Sequence, residues 1–167
     1  SGRRARELAA QWGWLDIKRT NPEACAVARE AGLPEPTIDR PPFRAPHHTC
    51  SAAALLGRLD GWRFRPGECS LAHGGVLLLD ELPEFRATTL EAIRGVIRDR
   101  EITLISRGNR LTVPAEFTLI ATMNACPCGN AGSRRACACA KQAIDLYHNR
   151  VKIIREWCQV EMVGESL

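Results

Sequence analysis

The segment Gly74-Gly75-Val76-Leu77-Leu78-Leu79-Asp80-Glu81 leaves the chain few folds to choose from. Its apolar run has no polar face, so it reads as a strand buried on both sides, the environment found in a parallel sheet. The run then ends in two carboxylates. In an open α/β sheet, ligands bind at the carboxyl ends of the strands. An aspartate there can hold Mg²⁺, and a neighbouring glutamate can orient or deprotonate a water. The plainer alternative is a core strand whose acids simply open a loop at Glu81-Leu82-Pro83.

On the ligand-binding reading this is the form of a Walker B strand from a nucleotide hydrolase. The chain has 167 residues, 45% of them apolar, which suits one domain with a core. Its net charge of +4 is mildly basic and unevenly placed. Between Ala125 and Arg155, six basic residues (Arg134, Arg135, Lys141, Arg150, Lys152, Arg155) meet one acid, Asp145, leaving a local +5. Such a region can meet phosphates or simply be solvated. No apolar run approaches the ~20 residues that span a bilayer, and no signal peptide is visible, so a cytoplasmic protein without a membrane partner is expected. In that compartment eight cysteines argue for thiols or metal ligands, not a disulfide framework.

From the N-terminus, Ala5, Leu8, Ala9 and Trp12 share one helical face between Arg3 and Trp14. Asn21, Pro22 and Gly32 mark the cap, first turn and end of a second helix, with Ala24, Val27, Ala28 and Ala31 at the i, i+3, i+4, i+7 spacing. Prolines at 34, 36, 41, 42 and 46 impose an extended connector anchored by Ile38 and Phe43. His47-His48 come next; adjacent side chains diverge on most backbones, which disfavours a shared metal, and phosphate or base contact is at least as plausible. Thr49 or Ser51 caps a short helix over Ala52-Leu56 that stops at Gly57. Pro66-Gly67 makes a turn, and Cys69-Ala72 leads into the central strand. Beyond it, Thr88 and Glu91 form a capping-box pattern, and Leu90, Ile93 and Ile97 make the next helix amphipathic. Gly95 weakens that helix by about 1 kcal/mol relative to alanine.

A hairpin follows. Ile102 and Leu104 alternate with polar residues, Gly108-Asn109 is a two-residue turn, and Leu111 and Val113 alternate again. In that register Arg107 and Arg110 flank the turn and face each other, which is destabilising unless an anion or solvent screens them. Phe117-Met123 is a second buried-strand candidate, ending at Asn124. Cys126, Cys128, Cys137 and Cys139 then form two C-x-C pairs that can close a tetrahedral Zn²⁺ site, the alternative being inert thiols. A final helix runs from about Ala140, with Ile144, Tyr147, Val151, Ile154 and Cys158 on one face.

Taken together, these segments resemble the Mg-chelatase-like AAA+ ATPases of the bacterial ComM (YifB) competence type. The matching text is Pro42-Phe43-Arg44-Ala45-Pro46-His47-His48-Thr49, then Pro66 to Gly75, then Asp80-Glu81-Leu82-Pro83-Glu84-Phe85. It resumes at Ile105-Ser106-Arg107 and at Ala121-Thr122-Met123-Asn124-Ala125-Cys126-Pro127-Cys128-Gly129. The resemblance implies an α/β fold, a partial AAA+ P-loop-type core whose parallel sheet is flanked by helices, with a pre-sensor-1 β-hairpin insertion at Glu101 to Val113. It implies Asp80 as the Walker B residue for Mg-ATP, Glu81 as the catalytic glutamate and Asn124 as sensor 1. It further implies a motor that couples ATP hydrolysis to work on single-stranded or branched DNA, hexameric in the intact family.

The departures from the family pattern define what to expect of this chain. No G-x-x-x-x-G-K-[ST] segment occurs, so the β- and γ-phosphates lose their main cradle. Val151 to Leu167 carries no assignable arginine finger, and Ala125 stands where a proline is usual. The expected organisation is one partial domain over 1–167: N-terminal helices over 1–33, a family-like core over 34–150 with cysteine knuckles over 126–139, and a divergent tail over 151–167. The expected function is that of a piece of a DNA-processing ATPase, inactive alone; the alternative is a non-hydrolysing DNA- or protein-binding module. DNA contacts are expected at Arg107, Arg110, Arg134 and Arg135.

Overall fold

The computed structural model describes residues 22–33, 41–132 and 134–157. The helix expected over Arg3 to Trp14, the Asn21 cap, Ile38, Cys158 and the end of the tail lie outside these residues. The described elements are α1 (Pro22–Glu30), β1 (Phe43–Arg44), α2 (Ala52–Leu56), β2 (Gly57–Asp60), β3 (Arg63–Pro66), α3 (Glu68–Leu71) and β4 (Val76–Leu79). They continue as α4 (Ala87–Asp99), β5 (Glu101–Ser106), β6 (Asn109–Pro114), β7 (Thr118–Ala121), α5 (Lys141–Asn149) and α6 (Lys152–Arg155).

The central strand is the one the apolar run predicts. Val76, Leu77, Leu78 and Leu79 all have 0% exposure, a gross gain of roughly 6–12 kcal/mol before chain entropy is counted. β4 lies between β1 and β7, parallel to both, with Phe43 opposite Val76 on one side and Leu79 opposite Ala121 on the other. Gly75 is needed at its start, because a Cβ there would collide with the Pro42 carbonyl that accepts the Val76 amide. The neighbour β7 is shorter and less buried than the sequence suggests: only Ala121 of its four residues is fully covered.

Helices flank this sheet. α4 turns Thr89, Leu90, Ile93 and Val96 inward, and Ile97 packs on the same core. Its start differs from the capping-box expectation. Arg86 is the cap residue and makes no side-chain hydrogen bond, so Thr88 already lies inside the helix. Phe85 is buried just before the cap, and the helix begins two residues earlier than the Thr88–Glu91 pattern would place it. In α2 the expected cap is present, Ser51 Oγ accepting the Ala54 amide at 3.1 Å. At the end of α1, Gly32 adopts φ 68° and the Leu33 amide reaches back to the Ala28 carbonyl at 2.9 Å, a left-handed helix stop. His73, 4% exposed, ties these layers together. The Glu116 amide donates to its Nδ1 at 3.1 Å, so its Nε2 carries the proton facing Glu23 at 3.0 Å.

Three further expectations change. Pro66-Gly67 is not a free turn: Pro66 ends β3 and Gly67 caps the short helix α3 that holds Cys69. β2 and β3 form an antiparallel hairpin that sequence alternation did not reveal. The last helix is two pieces, α5 and α6, with Tyr147, Val151 and Ile154 still sharing the buried side. The β5–β6 hairpin is present between α4 and β7, but its turn is Arg107-Gly108, one residue earlier than expected. Both turn residues have positive φ, 49° and 81°, the requirement of a type I′ turn. Ser106 therefore faces Asn109, and Arg110 faces Ile105, so Arg107 and Arg110 do not oppose each other.

Candidate functional site

Parallel pairing of β4 with β7 puts the residues after Leu79 beside those after Ala121. Asp80 and Glu81 leave one strand; Thr122, Met123 and Asn124 leave the other. Thr122 joins the two ends. Its amide donates to the Leu79 carbonyl at 3.0 Å, its carbonyl accepts the Leu82 amide at 2.8 Å, and its hydroxyl donates to Asp80 Oδ1. The same hydroxyl oxygen accepts the Glu81 amide at 3.1 Å. Sequence reasoning missed Thr122. Its signal was position: it immediately follows a strand expected to run beside the acids.

Glu81 sits at φ 57°, ψ 51°, a left-handed conformation that costs a non-glycine residue about 1–2 kcal/mol. The buried Leu82-Pro83 turn that follows, held by the Glu84 amide on the Glu81 carbonyl at 2.8 Å, imposes it. The effect is to point the carboxylate outward, half-exposed, where His48 Nδ1 lies 3.5 Å from Oε2. His48 is set by ring contacts, with His47 at 4.0 Å and with Phe85 edge-on at 6.4 Å. His48 thus borders the acid turn, and among the described residues neither histidine joins a metal-ligating cluster.

Asn124 is exposed at the same sheet edge, next to Tyr147 of α5. Burial, with Glu84 nearby, pushes the Tyr147 hydroxyl up, while Asn124 pulls it down without completing a well-formed hydrogen bond. The segment behind Asn124 is pinned by His148 Nε2 facing the Ala125 carbonyl at 3.0 Å. Arg150 Nη2 reaches the Phe85 carbonyl at 3.2 Å and so links the acid turn to the α5 side.

The four expected cysteines converge. Cys126, Cys128, Cys137 and Cys139 bring their sulfurs within 4.8 Å of one another. Sγ–Sγ separations are 3.4 Å for Cys126–Cys128, 3.6 Å for Cys126–Cys137 and 3.8 Å for Cys128–Cys137. Four thiolates at 2.3 Å from a tetrahedral zinc stand about 3.8 Å apart, so the cluster fits that ion with little adjustment. Burial raises the Cys126 thiol, but hydrogen bonds from the Ala131 amide at 3.2 Å, from Cys128 and Cys137 and from the Asn130 amide outweigh it and bring it down to about 6. Buried Cys69 is the contrast: desolvation pushes it up to about 12, as for an inert core thiol. Arg107, Arg110, Arg134 and Arg135 are all exposed, the first pair on the β5–β6 hairpin and the second in the cysteine loop.

A buried parallel strand braced by its neighbour and flanked by helices defines an α/β protein, and its paired acids stand at the sheet edge where ligands of such folds generally bind. The sequence pattern described as "Magnesium chelatase, subunit ChlI" matches residues 18–154; the chain belongs to that family. The competence protein ComM of Haemophilus influenzae is 51% identical over 129 residues, which are 74% of this chain and 25% of that protein. The YifB protein of Escherichia coli is 49% identical over 89 residues, 53% of this chain and 17% of that one. The chain therefore spans a quarter or less of the length of these two relatives. A solved structure, NtrX from Brucella abortus, is 26% identical and covers 49% of this chain and 20% of its own, with a TM-score of 0.42. Among the described residues no helix is long and apolar enough to cross a membrane.

Proposed function

We propose that this chain supplies the Mg²⁺-binding and water-orienting half of an AAA+ ATPase site, in a protein that couples ATP hydrolysis to work on DNA. The observation that carries the reading is the Thr122 bridge, which ties Asp80 and Glu81 to the end of the strand that continues into Asn124. Asp80 holds the cation, its carboxylate oriented by the Thr122 hydroxyl. Glu81, turned outward by its left-handed backbone and bordered by His48, orients and deprotonates the attacking water. Asn124 hydrogen-bonds the γ-phosphate. Bound Mg²⁺ supplies charge neutralisation on the β- and γ-phosphates. The chain has no G-x-x-x-x-G-K-[ST] segment, so a hydrolytic site needs a phosphate cradle from outside these residues. Similarity to ComM supports DNA as the substrate.

The cysteine cluster is proposed to bind one Zn²⁺. It would stiffen the loop after Asn124, because Cys126 is buried and Gly129 lies against the Asn124 side chain. The test of the nucleotide site uses Mn²⁺ in place of Mg²⁺, read by electron paramagnetic resonance with ATP present. The parent chain binds the ion and Asp80→Asn does not; equal binding removes Asp80 from the site. Steady-state ATP turnover by the chain alone is expected to be at background, and turnover abolished by Glu81→Gln would overturn the incomplete-site reading.

A further inference from the structure

The β2–β3 hairpin has two unlike sides. Leu59 and Phe64 pair in register on the half-buried side, Phe64 packing against the core, while Arg58, Asp60, Arg63 and Arg65 are exposed. Asp60 Oδ2 accepts from Arg58 Nε at 3.2 Å and Arg65 Nε at 3.1 Å. Arg63 has no acid partner among the described residues. At the tip, Gly61 takes φ 64°, as a two-residue hairpin turn beginning with glycine requires. Trp62 follows it and is 85% exposed, the largest exposure of any bulky apolar side chain among the described residues. The second hairpin stands alongside: Asn109 Nδ2 lies 3.5 Å from the Gly61 carbonyl. The Gly61-Trp62 and Arg107-Gly108 turns thus form one double tip. Arg107 and Arg110 have no acid partner among the described residues either.

We propose that Trp62 is a stacking platform for a base of single-stranded nucleic acid, with Arg63 and Arg107 at the same tip taking the flanking phosphates. An exposed indole at a double tip that also carries the exposed arginines Arg63 and Arg107 suits a polyanion that also exposes flat aromatic faces. A duplex keeps those faces inside its own stack; a single strand offers them. A lipid surface would be met by a broader apolar face than one indole provides. The inference rests on the DNA reading above and names the strand state and the residue that reads it.

The test compares the chain with Trp62→Ala and Trp62→Phe, using anisotropy of a labelled oligothymidylate and of an abasic deoxyribose-phosphate chain of equal length. A stacked base of this kind is worth about tenfold in affinity. Trp62→Ala is expected to lose about that for oligothymidylate, with its salt slope, its affinity for the abasic chain and its melting temperature unchanged. Trp62→Phe should retain most of the affinity. Equal binding of oligothymidylate by parent and Trp62→Ala overturns the proposal and leaves the indole to another partner, a lipid surface included. If the parent binds no oligothymidylate at all, the DNA reading itself falls, and this inference with it.

Discussion

Thr122 donates its hydroxyl to Asp80 from the neighbouring strand, so the candidate cation ligand is positioned by β7 as well as by its own strand. Hydrogen bonds to charged groups contribute about 1.5–3 kcal/mol, toward the lower end when solvent has access. Asp80 is only half-buried. Thr122→Val keeps the shape and removes the donor, and should destabilise the chain by about 1–2 kcal/mol in urea unfolding. A double-mutant cycle with Asp80→Ala, which removes the acceptor, isolates the bond. A coupling near zero would mean that Thr122 does not orient the aspartate.

Two glycines should respond to alanine with opposite signs. At Gly75 the new methyl would meet the Pro42 carbonyl, a backbone atom locked in the β1–β4 pairing, so Gly75→Ala should cost at least about 1–3 kcal/mol. At Gly95, inside α4, a methyl meets nothing within 4 Å. Gly95→Ala should therefore stabilise by about 0.5–1 kcal/mol through helix propensity alone. Thermal or denaturant midpoints measured side by side decide both. A stabilised Gly75→Ala would remove the close approach of β1 to β4 from the fold.

What the sequence made legible follows from which interactions are local. The β4 run could be read directly, because four apolar residues with no polar face have only one environment. The Ser51 cap and the Gly32 stop were legible for the same reason, each being settled within one helical turn. The β2–β3 hairpin was not, because Gly57-Arg58-Leu59-Asp60 and Arg63-Phe64-Arg65-Pro66 each carry a single large apolar residue on the inward side. That is too short an alternation to separate from a loop. The β5–β6 turn was misplaced by one residue because glycine was expected at its first position. The structure puts Arg107 there in the left-handed region instead. Thr122 was missed as a site residue because its partner Asp80 is 42 positions away, and its place just after β7 was the one hint of their pairing.

The cysteine cluster predicts one Zn²⁺ per chain. Protein purified without added zinc should carry about one equivalent by elemental analysis, and Cys137→Ser/Cys139→Ser should carry none. Chelation should also lower the melting temperature of the parent and leave the double variant unmoved, because metal affinity for the folded state adds to stability. Equal metal content in the two proteins would return the four sulfurs to plain thiols. Cys69 serves as an internal control, as a buried thiol pushed up to about 12 should stay unreactive to thiol reagents in either protein.

The β5–β6 hairpin predicts a salt-sensitive DNA contact on grounds other than arginine opposing arginine. Arg107 occupies a left-handed turn position at φ 49° where asparagine or glycine is cheaper, and a strained residue kept at an exposed tip is a functional candidate. Arg110 lies on the outward face of the same hairpin, opposite exposed Ile105, and contributes nothing to the core. Each guanidinium that replaces condensed counterions on a phosphate should contribute about 0.7–0.9 to the slope of log affinity against log salt. Arg107→Ala/Arg110→Ala should therefore reduce the slope for single-stranded DNA, where each contact contributes about 0.7, by about 1.4 if both arginines touch the backbone. Arg134→Ala/Arg135→Ala tests the cysteine loop in the same way. A hairpin variant with the parent's slope would make these arginines ordinary surface charges, and the DNA path would have to be sought on the cysteine-loop side.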